Sequence, residues 1–566
     1  MPRKAKSQEQ ESENVKTLEL VAETPAPKKR GRKPKSAATA TATATDEAKP
    51  VRTRRKKSVD PEEIIRQIMT QPEPELSQED LQEEVKEIQQ ESGYTFKAPE
   101  PEEPEQEPEP EIEPEIPEPD EPEPEPEPEP AVRTHAYGSK GSREMMQHPK
   151  PKYTYAMLAS KLAPELRRIA KGFGINAPVS MRKDDLIIET LKSQAESMNY
   201  RFGGGTLEIL PENFGFLRPK GMLPTDSDVY LSSSQIRRFG LRNGDVIWGL
   251  IRPPRDQEHY EALLRVETVN FTDPEHSRHR PMFAQLTPIF PNMRLSLEYD
   301  SKDLATRLVD MFAPIGLGQR ALIVSPPKAG KTTLIKRIAR AIAANSPDII
   351  IMALLIDERP EEVTDIARSI DGEVIASTFD RPADEHIRVA NLALEKAKRL
   401  VEAKRDVVIL LDSITRLARA SNLTVPPSGR TLSGGLDPSG LYFPKRFFGA
   451  ARNFEEGGSL TIIGTALTDT GSRMDDVIYE EFKGTGNMEL HLSRKLADQR
   501  IFPAIDITKS GTRREELLMP DDELKRLWIL RKRIAGVDEA GALNLILDKL
   551  RQTESNNEFL NSIKLA

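Results

Sequence analysis

The 566-residue chain contains no cysteine. Disulfide scaffolds, Cys-ligated zinc, iron–sulfur clusters and thiol catalysis are therefore excluded. Seven histidines make a multi-His metal centre a poor expectation. Long apolar runs are also missing. The longest, Ile349–Ile356, is bounded by Asp348 and Asp357. That is far short of the ~18 residues a membrane-spanning helix needs, and it reads as a buried strand. The first residues carry Lys and Arg without an apolar stretch, so no secretory signal is expected and a cytoplasmic location is the default.

Basic residues are absent from 99–130, which hold sixteen Asp/Glu, thirteen Pro and three others. Such a segment repels itself and buries almost nothing, so residues 1–150 are expected to form a disordered charged and Pro-rich extension. The net charge of −9 conceals a segregation. Residues 1–60 carry sixteen Lys/Arg against eight Asp/Glu, and residues 61–98 carry three against ten. Beyond residue 130 the balance turns mildly basic, which suits a nucleic-acid partner. The cluster Lys28–Lys35 resembles the AT-hook, with an extra Lys33 between Arg32 and Pro34. A solvated or loosely phosphate-binding arm is the preferred reading.

Past the extension the pattern changes three times. In 151–200, Tyr155, Leu158, Leu162, Leu166 and Ile169 recur at helical spacing, and Ser180 reads as a cap before Leu186–Ala195. A small N-terminal helical unit is expected there. In 201–275 the period becomes two: Leu207–Ile209, Phe214–Arg218, Val229–Leu231, Val246–Trp248 and Leu263–Val266, with Asn243-Gly244 as a hairpin signal. Several short strands in so few residues predict a closed barrel. Residues 276–300 read as a linker. In 301–566 apolar strands alternate with helices: Ala321–Val324, Ile349–Ile356, Glu373–Ala376, Val407–Leu411, Leu460–Ala466 and Phe502–Ile507. The fold class is α/β, with a mostly parallel sheet covered on both faces and helices after residue 520.

The strongest chemical signal is Ser325-Pro-Pro-Lys328-Ala329-Gly330-Lys331-Thr332-Thr333, between a strand and a helix. Backbone N–H groups and the helix dipole there can cradle phosphates. Lys331 would reach the β/γ-phosphates, and the Thr332 hydroxyl would ligate Mg²⁺. Val407–Asp412 delivers a carboxylate at a strand's C-terminal end, and Asp412 suits a water-bridged role on the same ion. In Asp357-Glu358-Arg359, Glu358 is the choice for orienting and deprotonating water. The alternative is a structural ion-pair network. Arg513 either projects into a neighbouring subunit's site or sits in a solvated basic turn. Phe214 and Phe216, around Gly215 and ending in Arg218, suit a platform that stacks unpaired bases. Two loops, Pro426–Pro444 and Glu480–Asn487, read as functional loops or plain surface connections, with Lys483 able to hold a phosphate backbone.

From about Tyr153 onward the chain closely resembles the bacterial transcription termination factor Rho family. The resemblance is carried by PPKAGKT, LLIDERPEEVT, LLDSITRLARA, PKRFFGAARN, EEGGSLTII, EEFKGTGNMELHLSR, FGFLR, DVYLS and SQIRRF. It implies a RecA-like P-loop ATPase core behind an OB/cold-shock-like RNA-binding barrel. It further implies a homohexameric ring that binds C-rich nascent RNA and hydrolyses ATP with Mg²⁺. Such a ring moves 5′→3′ as an RNA–DNA helicase, meets the RNA polymerase elongation complex and termination co-factors, and ends transcription.

By the same resemblance the RNA site would comprise Asn213, Phe214, Gly215, Phe216, Leu217, Arg218, Asp228, Val229, Tyr230, Glu258, His259 and Tyr260. The nucleotide site would comprise Gly316, Leu317, Gly318, Gln319, Arg320, Ala321, Lys328, Ala329, Gly330, Lys331, Thr332, Thr333 and Arg359, with Phe502 on the adenine. Arg513 and Arg500 would come from the next subunit, and Lys483 would contact RNA in the pore. Asn213 stands where that family often has Gly. A non-translocating RNA-binding assembly and a rotary ATP-synthase subunit are the alternatives. The second leaves Phe214, Phe216 and Lys483 unexplained.

Overall fold

The computed structural model describes residues 151–177, 181–255 and 258–563. The extension 1–150 and Ser180, both subjects of expectations above, lie outside the described residues.

Three helices, Tyr155–Ala159, Ala163–Gly172 and Lys183–Ser197, open the described chain. The apolar spacing from Tyr155 to Ile169 predicted one stripe, but the helix breaks between Ala159 and Ala163. Pro164 has no N–H for the Ser160 carbonyl and would clash with it in a continuous helix. Leu162, counted in that stripe, is instead 77% exposed at the break. The third helix begins at Lys183 with Arg182 in the cap position, and Asp184 and Asp185 complement its dipole. Tyr155, Leu158, Leu166, Ile187 and Leu191 close this unit's core. Phe202 and Trp248 join it, their rings stacked 6.3 Å apart.

The barrel consists of β1 (Arg201–Ile209), β2 (Gly215–Arg218), β3 (Val229–Leu231), β4 (Val246–Arg252) and β5 (Glu261–Val269). It closes in the order β1-β2-β3-β5-β4. Leu207, Leu217, Val229, Leu231, Ile247 and Leu263 fill it. Asn243-Gly244, expected as a hairpin, is the turn between the helix Ser233–Phe239 and β4. Gly244 has φ +88°, and a Cβ there would lie 2.3 Å from the backbone of Glu395. At that point the barrel meets the helix Ala383–Glu402. Arg280 locks the junction, 2.7 Å from Asp245 and 3.2 Å from Glu402, both fully buried carboxylates.

Short β6 (Pro288–Ile289) leads into a nine-stranded sheet with β7 (Arg320–Ser325), β8 (Ile350–Glu358), β9 (Glu373–Thr378), β10 (Asp406–Asp412), β11 (Arg452–Phe454), β12 (Ser459–Leu467), β13 (Met488–His491) and β14 (Gly511–Thr512). The main order is β14-β13-β7-β12-β10-β8-β9, and every neighbouring pair from β13 to β9 is parallel. In β8, Ile351, Ala353 and Leu355 enter one core, while Ile350, Met352, Leu354 and Ile356 enter the other. That is why this run is continuously apolar rather than alternating.

One expected strand is corrected. Phe502–Ile507 forms no strand. Pro503 has no N–H for a ladder, and the Asp506 carboxylate accepts the N–H groups of Thr508 and Lys509, curling the chain into a turn. Its place beside β7 belongs to β13, whose Met-Glu-Leu-His alternation is short and half polar. The helices Asp521–Ile534, Glu539–Leu550 and Asn556–Asn561 complete the C-terminal part. Fully buried Arg307 ties them in, reaching Asn556 at 3.0 Å and the Leu550 and Thr553 carbonyls at 2.9 and 2.8 Å.

Candidate functional site

Parallel strands align their C-terminal ends, so β7, β8 and β10 deliver Ser325, Glu358 and Asp412 to one edge. The loop after β7 enters the helix Lys331–Asn345 through Gly330 at φ +97°. Lys328 also takes the left-handed region, at φ +66°. The N–H groups of the helix's first turn lack intrahelical acceptors and face outward with the positive end of the dipole. An anion fits there.

Lys331 links the three strands. Its Nζ lies 2.5 Å from Asp412 Oδ1 and 3.3 Å from Glu358 Oε1. Burial alone would pull this lysine down, but the two carboxylates carry it above its ordinary range. Glu358 is only 3% exposed, and burial pushes its carboxyl up despite Lys331. Arg416 approaches it at 3.4 Å while holding Asp357 at 2.9 Å. A buried carboxylate whose proton affinity is raised in this way is, in its ionised form, a stronger proton acceptor. Arg359 is exposed at the cap of the helix Pro360–Ser369. Thr465 supports Asp412 with a 2.8 Å hydrogen bond to Oδ1. The other oxygen, Oδ2, is buried without a partner. With the Thr332 hydroxyl it forms a hard-oxygen donor set that fits Mg²⁺, an ion that keeps most of its ligands as water and phosphate. Among the described residues no cluster of three His, Asp or Glu could cage a metal unaided.

Beside the loop opens a cleft of about 420 Å³ lined by Lys302, Ala329, Thr333, Arg337, Phe502 and Pro503, among others. Phe502, 49% exposed, offers a ring face to a planar base. Arg500 sits two residues away at the same edge, with φ +61°.

The structure does not bring the remaining expected nucleotide residues here. Gly316, Leu317, Gly318, Gln319, Arg320 and Ala321 form the turn entering β7 and its first two residues, at the opposite edge of the sheet. Gly318 donates its N–H to Thr461 at 2.8 Å, and Gln319 reaches Asn487 Oδ1 at 2.8 Å. Arg513 joins them, its N–H bonded to the Asn487 carbonyl, just beyond the sheet-edge strand β14. Burial first, and then Arg452 and Arg513, pull the Arg320 guanidinium below its usual range. A second hollow of about 320 Å³, lined by Asn487, Glu489, Lys509 and Arg513, lies at this edge.

Lys483 is likewise corrected. It does not sit in the loop expected over Glu480–Asn487. It ends the helix Arg473–Lys483, beside the start of β13, over the Tyr479 ring at 5.7 Å. The loop that follows β12 at the nucleotide edge is Thr468–Ser472, leading to exposed Arg473. A Cβ at Gly434 would lie 2.6 Å from Met474 N, so the Gly/Pro-rich loop packs on it. That loop ends earlier than expected: Pro444, Lys445 and Arg446 already belong to the helix Tyr442–Gly449.

On the barrel four rings meet. Phe216 lies 5.9 Å from Phe214, 6.1 Å from Tyr230 and 4.9 Å from Tyr260, and Phe214 lies 5.6 Å from Tyr230. Asn213 precedes them at φ +62°. Glu258 and His259 are exposed beside Tyr260. The Glu258 carboxylate accepts from Arg252 at 2.6 Å, which with the Arg255 N–H lowers its pKa to about 2. Arg218 departs from expectation. It is buried, pairs with Asp228 and with Glu208 at 2.5 Å, and lies 5.4 Å from the Phe216 ring. It braces the platform from behind and is not free for phosphate. Leu217 and Val229 are core residues and Gly215 is buried backbone, where a Cβ would lie 2.6 Å from Leu207.

Sequence reasoning missed Arg416 and Thr465. Arg416 follows Asp412 by one helical turn in LLDSITRLARA, a spacing that places it over the strand end. Thr465 carried no signal before the order of β12 and β10 was known.

Three family profiles match the chain: the Rho termination factor N-terminal domain over residues 157–198, the Rho termination factor RNA-binding domain over 203–275, and the ATP synthase alpha/beta family nucleotide-binding domain over 305–512. The chain is 58% identical over 408 residues to the transcription termination factor Rho of Thermotoga maritima, covering 72% of this chain and 96% of that protein. Against the factor of the same name from Bacillus subtilis the identity is 58% over 396 residues, covering 70% and 92%. Against that of Escherichia coli K12 it is 56% over 405 residues, covering 71% and 97%.

Proposed function

Since this chain belongs to the Rho transcription termination factor family, we propose that it terminates transcription as an RNA-dependent ATPase working in a homohexameric ring. One observation carries the reading: a closed barrel bearing a four-ring aromatic face and a P-loop site with a buried glutamate stand in one chain. Single-stranded RNA stacks its bases on Phe214, Phe216, Tyr230 and Tyr260, each stacked base contributing ~1–3 kcal/mol. Cytosine-rich RNA is the partner that membership of the family implies.

ATP enters between the P-loop and the Phe502 cleft. Its phosphates take the first-turn N–H groups and draw Lys331 away from Asp412 and Glu358. Thr332 and Asp412 would hold Mg²⁺, which would supply charge neutralisation for the phosphates. Glu358, freed from Lys331, orients a water and accepts its proton. Arg513, with Gly316–Ala321, lies too far along the sheet to serve this chain's own nucleotide. Gly316–Gln319 and Ala321 are buried, whereas exposed Arg513 suits the nucleotide of a neighbouring subunit, where an arginine can stabilise developing charge by ~10³–10⁵ in rate. Arg500, beside Phe502, is the less suited of the two arginines for that role. The loops Thr468–Ser472 and Pro426–Leu441, at the nucleotide edge, are better placed than Lys483 to grip a strand and move it. Translocation along RNA separates an RNA–DNA hybrid and disrupts the elongation complex in the cytoplasm.

The test is strand separation. An RNA–DNA hybrid with a 5′ C-rich single-stranded RNA tail should be unwound with ATP, and a hybrid with the tail at the 3′ end should not. Equal unwinding of both, or of neither while RNA-stimulated turnover persists, contradicts directional translocation.

A further inference from the structure

We propose that the acidic Glu/Pro block 99–130 is this chain's own ligand for the aromatic face of the barrel, seated where RNA stacks. The inference rests on the RNA-platform reading above. The four rings around Phe216 form an exposed face that nothing among the described residues covers, with Tyr230 36% and Tyr260 38% exposed. Residues 121–130 alternate Glu with Pro without interruption. Pyrrolidine rings dock on aromatic faces, which is how Pro-rich segments bind aromatic-lined grooves. The glutamates between them repeat a negative charge at regular intervals, as a phosphodiester backbone does.

The charges at the platform favour such a guest. Exposed Lys220 follows β2, and exposed Arg255 lies beside Glu258 and Tyr260. Three acids near the rings are engaged, Glu208 and Asp228 by Arg218 and Glu258 by Arg252, while exposed Glu212 and Asp226 flank the face. The block carries no basic residue, so nothing in it opposes the docking.

The tether is short enough. Twenty residues separate Pro130 from Pro151, a contour of at most ~70 Å. The chain then enters the helical unit, which stacks on the barrel through Phe202 and Trp248. A tethered ligand acts at an effective concentration in the millimolar range, so weak contacts suffice to occupy the face until RNA displaces them. The occupied fraction lowers apparent RNA affinity in proportion.

The experiment uses the full chain with only residues 99–130 deleted, a labelled synthetic peptide of 99–130, and a C-rich RNA oligomer. The peptide should bind the deleted chain, be displaced by RNA, and lose at least ~5-fold in affinity when Phe216→Ala is added. Deletion should tighten RNA binding about 3–10-fold at low ionic strength, with the gain closing at high ionic strength. No peptide binding, equal binding to the Phe216→Ala chain, or RNA affinity unchanged by the deletion each overturns the proposal. Equal binding to the Phe216→Ala chain would mean capture by charge alone, for instance on the basic residues 1–60. If the deleted chain takes up no RNA, the platform reading itself fails, and the peptide titration still decides the docking.

Discussion

Glu358 combines burial with two cations in reach, and its chemistry follows from that balance. Burial, with the neighbouring Asp412 carboxylate, disfavours its charge, while Lys331 at 3.3 Å and Arg416 at 3.4 Å favour it, and the first pair prevails. Only the ionised form accepts a proton. Turnover at saturating ATP should therefore fall on the acid side at a pH above the ordinary glutamate value of ~4.3. Replacing Arg416 by Gln removes a cation, raises the carboxyl further and moves that acid limb to higher pH. A pH–rate profile whose acid limb does not move contradicts the coupling. Glu358→Gln should keep ATP binding within a factor of about two and cut single-turnover hydrolysis by ~10²–10⁴. Near-normal hydrolysis would remove Glu358 from its role. Asp412 is the contrasting carboxylate: one oxygen is held by Lys331 and Thr465, and the other is left for a ligand.

At the scale of elements, the residues that sequence reading found most securely lie in short contiguous motifs. Gly330-Lys331-Thr332 between strand and helix, Asp412 at the end of an apolar run, and Phe214 with Phe216 each needed only local periodicity. What escaped depends on strand order. That Gly316–Ala321 lies at the end of β7 away from the P-loop follows from chain order, but which edge holds Lys483 follows only from the parallel pairing of β13 with β7. Arg218 shows the same limit: a basic residue ending an aromatic strand looks like a phosphate contact until Glu208 and Asp228 are found around it. The two roles separate by measurement. Phe216→Ala should weaken RNA binding by ~1–3 kcal/mol and leave thermal stability nearly unchanged. Arg218→Ala leaves buried Asp228 without its cation in the barrel wall, while Glu208 keeps Arg388 at 2.7 Å, and should cost ~3–5 kcal/mol of stability. Comparable melting temperatures for both variants would return Arg218 to the RNA-contact class.

At the scale of the whole molecule, the sheet carries the P-loop site at one edge and Arg513 at the other, and the proposed ring brings the two together across neighbouring subunits. Arg513→Ala should lower turnover by ~10³ without loss of assembly or ATP binding. Rings mixed from Arg513→Ala and Glu358→Gln chains should regain part of the activity, because some interfaces then pair an intact Glu358 with an intact Arg513. Mixed rings as inactive as either parent would place Arg513 outside a shared site. The joined barrel and motor make a further demand, that polymer on the aromatic face governs chemistry at Glu358. ATP turnover by the purified, multimeric chain with and without single-stranded C-rich RNA measures this directly. Turnover that rises steeply with RNA, and is lost in Glu358→Gln, is the expected result. Turnover indifferent to RNA while RNA is demonstrably bound would contradict it.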